Sequence, residues 1–275
     1  MGAQRDLADR FRAMHVSGDP VLLPNAWDAA SARVLESLAF GAVATTSAGV
    51  AFLEGFADGQ DIGRNAMLAG VARIVRAVHV PVTADMEGGY GPTVADAVAT
   101  ALGVIASGAI GLNFEDATSV RGELMDADKQ AERIAAIRRT GEEYGLPLVI
   151  NARTDVYLAE IGDPKNRFVE TVRRAKVYRA AGADCIFVPG VLDAETIGAL
   201  VRAIDAPINI LAAAATPPLV ELRQLGVARV SLGSAPFRRA LSAFRDLALE
   251  ARDGGSFAGC GGILTHAEAN ALYGA

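Results

Sequence analysis

The sequence predicts an α/β protein, a (β/α)₈ TIM-type barrel with a C-terminal helical arm, and three observations support it. Short apolar runs of strand length alternate with helical patterns, and eight such units can be counted along the chain. The length, 275 residues, is the usual size of one such barrel. Pieces such as Ala181-Gly182-Ala183 and Leu225-Gly226-Val227 stand before strands, where glycine caps the preceding helix of a βα repeat. A doubly wound open sheet is the runner-up, because sequence alone does not show that the eighth strand meets the first.

An amphipathic helix over 3–16 comes first, and Gly18-Asp19-Pro20 turns the chain into a short strand at 21–23. That strand ends in Pro24-Asn25-Ala26-Trp27-Asp28 and leads to a helix over 29–38. The second strand, 42–46, opens into a long loop from Ser47-Ala48-Gly49 to Asp58-Gly59. After a helix over 62–78, the third strand runs into Asp85-Met86-Glu87-Gly88-Gly89-Tyr90-Gly91-Pro92. Side chains of an extended chain repeat with period two, so Asp85 and Glu87 share one side, and the glycines and proline then force an irregular turn. Helix 93–107, strand 111–114 with Glu115-Asp116 at its end, a second long loop and helix 128–144 follow. Strand 148–151 ends in Arg153 and Asp155, and helix 165–181 comes next. Strands at 185–188, 208–211 and 229–232, with helices at 193–203, 217–225 and 235–251, complete the series.

The barrel with its N-terminal helix is therefore expected over 1–252, and an oligomerisation arm over 253–275. Gly259, Gly261 and Gly262 would hinge this arm, and Thr265 and Glu268 stand in capping-box spacing for a terminal helix.

A net charge of −6 without a basic run argues against nucleic acid and against an anionic membrane surface as partners. No apolar segment approaches the roughly 20 residues that span a bilayer, and Asp6 and Asp9 are foreign to a signal peptide. Cys185 and Cys260 are too few for a disulfide framework, so a cytoplasmic location is expected.

In a barrel the C-terminal strand ends carry the chemistry. Here they offer Asn25, Trp27, Thr45, Thr46, Ser47, Asp85, Glu87, Glu115, Asp116, Arg153, Asp155, Asn209, Ser231 and Ser234. Acids crowded around one axis repel unless a cation sits among them, and hard oxygen donors suit Mg²⁺, with Mn²⁺ as the alternative. Arg153 opposite them would grip a carboxylate in bidentate fashion. The only lysines are Lys129, Lys165 and Lys176 and the only histidines His15, His79 and His266, none at a strand end. That removes Schiff-base, Ser-His-Asp and His-based zinc chemistry. What remains is a small carboxylate-bearing molecule handled at a metal.

At this point the chain resembles the isocitrate lyase/phosphoenolpyruvate mutase superfamily. The resemblance covers nearly the whole chain and rests on Thr45-Thr46-Ser47-Ala48-Gly49, Gly55-Phe56-Ala57-Asp58, the Asp85–Gly91 stretch, Asn113-Phe114-Glu115-Asp116 and Asn151-Ala152-Arg153-Thr154-Asp155. It implies a (β/α)₈ barrel and a Mg²⁺ held largely through waters by Asp58, Asp85, Glu87 and Glu115. It also implies an oxo-acid against the Ser47–Gly49 segment and Arg153. On that basis Trp27, Thr46, Ser47, Ala48, Gly49, Asp85, Arg153 and Asn209 are expected to contact substrate, and Asp58, Tyr90, Glu115 and Arg153 to serve catalysis. Helix-swapped dimers paired into tetramers are implied as well.

Two departures bear on function. Glu87 replaces the second of the family's paired aspartates. The loop after the fourth strand reads Ala117-Thr118-Ser119-Val120-Arg121-Gly122-Glu123-Leu124. It lacks the cysteine and histidine of isocitrate and methylisocitrate lyases and the Lys-x-Asn of phosphonate-processing members, and Arg121 is its only cation. The leading expectation is a Mg²⁺-dependent carbon–carbon lyase for a small 2-hydroxy or 2-oxo di- or tricarboxylate, such as oxaloacetate or a methylisocitrate- or dimethylmalate-like acid. P–C bond chemistry (phosphonopyruvate hydrolysis or mutation) and a non-catalytic oxo-acid binding protein are the alternatives.

Overall fold

The computed structural model describes residues 2–118, 120 and 122–274. After α1 (Gly2–Ala13) come β1 (Val21–Leu23), β2 (Asn25–Ala26), α2 (Ala29–Ser37), β3 (Val43–Thr45), α3 (Ser47–Leu53) and α4 (Arg64–Ala77). The middle of the chain forms β4 (Val82–Asp85), α5 (Val94–Ser107), β5 (Gly111–Glu115), α6 (Ala127–Glu143), β6 (Val149–Arg153) and α7 (Pro164–Ala180). It closes with β7 (Cys185–Phe187), α8 (Ala194–Ala203), β8 (Ile208–Leu211), α9 (Leu219–Gln224), β9 (Arg229–Ser231), α10 (Ala235–Leu249) and α11 (His266–Ala271).

All strands lie in one parallel sheet, in the order β1-β9-β8-β7-β6-β5-β4-β3-β2. β1 and β2 stand at its two ends, yet only Pro24 separates them in the chain, so the sheet comes round on itself as a barrel and the open-sheet alternative falls. The expected first strand is split in two. Its first half pairs with β9 and its second with β3, while Pro24, which has no N–H to give a ladder, still accepts from Ala44 N at 3.2 Å.

α1 lies across the N-terminal mouth of the barrel. Gln4 donates to Ala109 O at 2.9 Å, and Arg12 donates to Pro147 O at 2.6 Å and Asp184 at 3.0 Å, all just ahead of β5, β6 and β7. Its buried Phe11 plugs the opening, which leaves the C-terminal strand ends as the accessible face. The stretch expected as open loop after the second strand begins instead with α3. Thr46 caps it by accepting from Gly49 N at 3.4 Å, and residues 47–51 are buried. Gly49, a helix breaker by propensity, is needed there because a Cβ would stand 2.7 Å from Thr46 Cγ2 and 2.9 Å from Trp27 Cβ.

In the tail, α10 ends at Leu249 in a π-helical turn over Glu250–Gly254, and Thr265 with Glu268 forms the anticipated capping box. Arg33 of α2 reaches it, donating to Leu272 O at 2.9 Å beneath the Tyr273 ring. Among the described residues no helix is long and apolar enough to cross a membrane.

Candidate active site

Asp85 closes β4 with both its backbone and its carboxylate positioned by the end of β3. Its N–H donates to Thr45 Oγ1 at 2.8 Å, and its Oδ2 accepts from Ser47 N and Oγ at 3.0 and 2.8 Å. Its other oxygen, Oδ1, is buried and has no partner among the described residues. A buried carboxylate oxygen left without a donor is costly.

Beyond Asp85 the chain turns through left-handed conformations at Glu87 (φ 48°) and Tyr90 (φ 57°). Such backbone is unfavourable outside glycine, and two arginines hold it in place. Arg133 donates to Gly88 O and, at 2.7 Å, to Gly91 O, with its guanidinium over the Phe114 ring. Arg64 donates to Gly89 O and Tyr90 O at 3.2 and 3.0 Å and pairs with Asp96 at 3.1 Å. Gly89 has to be glycine here, since at φ 85° a Cβ would also meet Phe114 Cε2 at 2.6 Å.

The carboxylate thus turned inward, Glu87, is only 4 % exposed. Burial first, then Asp85 and Asp58, push its pKa up to about 8, although it accepts a hydrogen bond from Tyr90 Oη at 3.0 Å. Burial and Glu87 in turn push the Tyr90 phenol up, so that Tyr90 is a proton donor to Glu87 and no base.

Arg153 ends β6. Its Nε and Nη2 donate to Asp155 at 2.6 and 2.8 Å, and its Nη1 lies 2.7 Å from Glu115 Oε2. Despite burial, Glu115 and Asp155 hold Arg153 firmly charged. Burial pushes Glu115 up while Arg153 pulls it down, and Asp155, Asp85 and Glu87 add to the upward push. Asp116, the next residue along, points the opposite way. It accepts from Tyr178 Oη at 2.7 Å, Arg174 Nη1 at 3.1 Å and Asp155 N at 3.0 Å, and so ties α7 to the end of β6.

Asp85 and Arg153 line one cavity of about 160 Å³, together with Thr46, Ser47, Ala48, Asp58, Asn113 and Phe187. A larger cavity of about 470 Å³ lies alongside, walled by Arg64, Tyr90, Thr118 and Arg133. The smaller one holds the converging charges and is the candidate site. Among the described residues no three His, Cys, Asp or Glu side chains gather closely enough to hold an ion directly. A cation held at Asp85 Oδ1 would therefore draw most of its remaining ligands from water.

Residues 11–252 match the family model described as phosphoenolpyruvate phosphomutase. The chain belongs to this family. A Burkholderia cenocepacia J2315 protein provisionally assigned as a lyase/mutase has a crystal structure similar to it, with 37% identity, a TM-score of 0.92 and coverage of 100% of this chain and 98% of that one. An uncharacterized Mycobacterium tuberculosis protein, Rv1998c, is 35% identical over 89% of each chain. The oxaloacetate decarboxylase of Chromohalobacter salexigens is 29% identical over 91% of this chain and 87% of its own. The family and the barrel inferred from the sequence motifs are thus both found.

The site brings together Thr46, Ser47, Ala48, Asp58, Asp85 and Arg153 as cavity lining, with Asp58 at the mouth, its pKa raised by desolvation and then by Asp85. Glu87 and Glu115 stand just behind. The other expected contacts are placed differently. Trp27 stacks edge-on against Phe237 at 5.4 Å and supports the start of α3; Gly49 packs beneath it. Asn209 is buried below the cavity, accepting from Ser231 Oγ at 3.2 Å, and Tyr90 lines the larger cavity. The Nε–Nη2 fork of Arg153, expected to face substrate, holds Asp155. Sequence reasoning assigned no role to Asn113, Leu158, Phe187 or Leu211, which line the site; Asn113 could have been found two residues before Glu115 on the same side of β5.

The described ends of loop 117–126 pair with each other, Ala117 bridging Leu124 and Thr118 N donating to Glu123 O at 3.2 Å, with Glu123 exposed. Ser119 and Arg121, the loop's one cation, lie outside the described residues.

Proposed function

We propose that this protein is a Mg²⁺-dependent carbon–carbon lyase for a small 2-oxo or 2-hydroxy polycarboxylic acid, with oxaloacetate the preferred candidate. The observation that carries this reading is the carboxylate of Asp85: one oxygen is fixed by Ser47, the other is buried without a partner among the described residues, and Arg153 lines the same cavity. An acceptor-only oxygen donor set of this kind suits a hard divalent cation. Bound there, Mg²⁺ supplies Lewis acidity toward a 2-oxo group.

The chain's own residues do the rest. Asp85 offers Oδ1 to the ion while Ser47 keeps the carboxylate from rotating. Glu87, whose carboxyl is pushed up by burial and by Asp85 and Asp58, would give up its proton more readily beside a cation. Arg153, braced by Asp155 and Glu115, turns its remaining N–H groups toward a substrate carboxylate. The volume favours a compact acid, since about 160 Å³ is below the roughly 300 Å³ at which ligand pockets usually begin. The resemblance to an oxaloacetate decarboxylase supports the same substrate class. A phosphonate dianion is less well served: among the described residues the cavity offers only Arg153 as a cation, already facing two carboxylates.

We infer further that the protein works as a dimer or tetramer through its C-terminal region, where Phe244 of α10 and Phe257, Ile263 and Leu264 of the arm are each at least 60 % exposed. Several large apolar side chains exposed in one region of a chain favour association. The test of the function is turnover of oxaloacetate, methylisocitrate, dimethylmalate and phosphonopyruvate with Mg²⁺ and with chelator. Cleavage of a carbon–carbon bond that stops on chelation supports the reading; P–C cleavage alone, or no turnover of any, overturns it.

A further inference from the structure

A second constellation lies deeper in the barrel, below the candidate site. Arg229, the first residue of β9, is fully buried, and among the described residues no carboxylate pairs with it. Its guanidinium carbon lies over the Phe11 ring, 5.7 Å from the centroid, and its Nη2 donates to Asn113 Oδ1 at 3.3 Å. The same oxygen accepts from Asn151 Nδ2 at 2.6 Å. A buried charge that meets only neutral groups is expensive.

The constellation decides which way Asn113 faces. An asparagine pair taken alone can bond in either sense, because each carboxamide has both a donor and an acceptor end. A guanidinium only donates. With Arg229 present, only the oxygen of Asn113 can face downward; the reverse arrangement would set its amide N–H groups against those of Arg229. Asn151 Oδ1 is left buried without a partner among the described residues as a result, although turning both asparagines over together would satisfy it. The amide nitrogen of Asn113 is thereby turned away from the polar cluster, toward the cavity that Asn113 lines.

We propose that Asn113 is a substrate contact, presenting amide N–H donors to a carboxylate or oxo oxygen from the cavity floor, and that Arg229 is the positioning residue that sets its orientation. The floor so built selects an oxygen acceptor and rejects an ammonium or other donor group. This extends the reading of the cavity as an oxo-acid site and rests on it for the ligand, though the orientation of the amide does not.

The experiment uses the full chain and three variants. Oxalate is titrated calorimetrically in Mg²⁺ buffer into wild type, Asn113→Asp, Arg229→Met and Arg229→Lys. Asn113→Asp keeps the shape, gains a partner in Arg229 and so keeps the fold, but faces the ligand with an acceptor. It and Arg229→Met should each weaken oxalate binding roughly 10- to 100-fold, as expected for a lost hydrogen bond to a charged group. Arg229→Lys, which still only donates, should restore affinity to within a few-fold of wild type. Wild-type affinity in Asn113→Asp overturns the proposal, as does a lysine variant as weak as the methionine one.

A ligand-free measurement separates this from the functional reading. In protein labelled with ¹⁵N at asparagine side chains, the NH₂ resonance missing from Asn113→Asp should exchange rapidly with water in wild type and slowly in Arg229→Met. If wild type shows this behaviour and no oxalate binding, the oxo-acid reading fails and the orientation stands. If the resonance is protected in wild type, the proposal fails whatever the ligand does.

Discussion

At the ends of β5 and β6 the acids meet cations. Glu115 and Asp155 flank Arg153, and Asp116 faces Arg174 with Tyr178 beside it. At the end of β4, among the described residues, the acids hydrogen-bond only to neutral donors: Asp85 to Ser47, Glu87 to Tyr90. The two regions are neighbours in one sheet, and both are built of carboxylates at strand ends, but only the first is electrically closed by the protein. The second leaves Asp85 Oδ1 without a partner and pushes Glu87 up to about 8. The difference separates acids that hold the barrel together from acids that await a ligand.

The largest effect is expected where the charge is open. Asp85→Asn should leave the fold intact, because Ser47 can still donate to the remaining oxygen. It should lower turnover by at least ~10³-fold, the several kcal/mol that a metal ion's charge stabilisation contributes. Activity retained within tenfold in chelator-treated, Mg²⁺-resupplied enzyme would erase the contrast between the regions. Asp116→Ala tests the closed side. Removing Asp116 leaves Tyr178 without this acceptor while Arg174 keeps Glu170, at a cost of about 3 kcal/mol, the low end for a broken buried pair. Urea unfolding measures it, and a change below about 1 kcal/mol would show that the network does not brace the strand ends.

Arg153→Lys comes next. Lysine keeps the charge but cannot hold Asp155 with a planar fork while reaching Glu115. We expect a rise in KM worth about 1–3 kcal/mol with a smaller change in kcat. A loss confined to kcat would mean that Arg153 acts on the reacting atoms and not on substrate binding.

Much of this was legible in the sequence. Period-two spacing set Asp85 and Glu87 on one side, and the glycines around Tyr90 announced the turn that lets Glu87 point inward. The βα alternation gave the barrel, and the ordered motifs gave the family. What escaped was tertiary in origin. The split at Pro24 depends on which strands close the barrel. α3 carries a mid-helix glycine that packing against Trp27 requires, so its pattern read as a loop. Trp27 and Asn209 stand at strand ends like true site residues, yet their side chains pack against Phe237 and Ser231, and no periodicity distinguishes those directions. Arg229 looked like the ordinary start of a strand, because its burial beneath Asn113 depends on residues more than a hundred positions away.

The smallest expected effect is also the most direct comparison of open and closed charge, because it needs no substrate. In metal-free protein Glu87 keeps its proton up to about pH 8, against 4.5 for an unperturbed glutamate. Between those values the folded protein binds more protons than the unfolded chain, so this group's contribution is fully present below about pH 4.5 and is lost as pH rises through about 8. Asp58, also raised, acts in the same direction. A divalent cation must displace the Glu87 proton, so its affinity should rise with pH and level off above about 8. The expected gain is up to about tenfold per pH unit on the way. Calorimetric Mg²⁺ titration at several pH values, in two buffers of different ionisation enthalpy, counts the proton released. Glu87→Gln should abolish both the release and most of the slope, whereas Asp116→Asn, on the closed side, should leave them in place. A pH-independent Mg²⁺ affinity in wild type would show that the cation does not draw on Glu87, and that the β4 acids are as settled without it as those of β5 and β6.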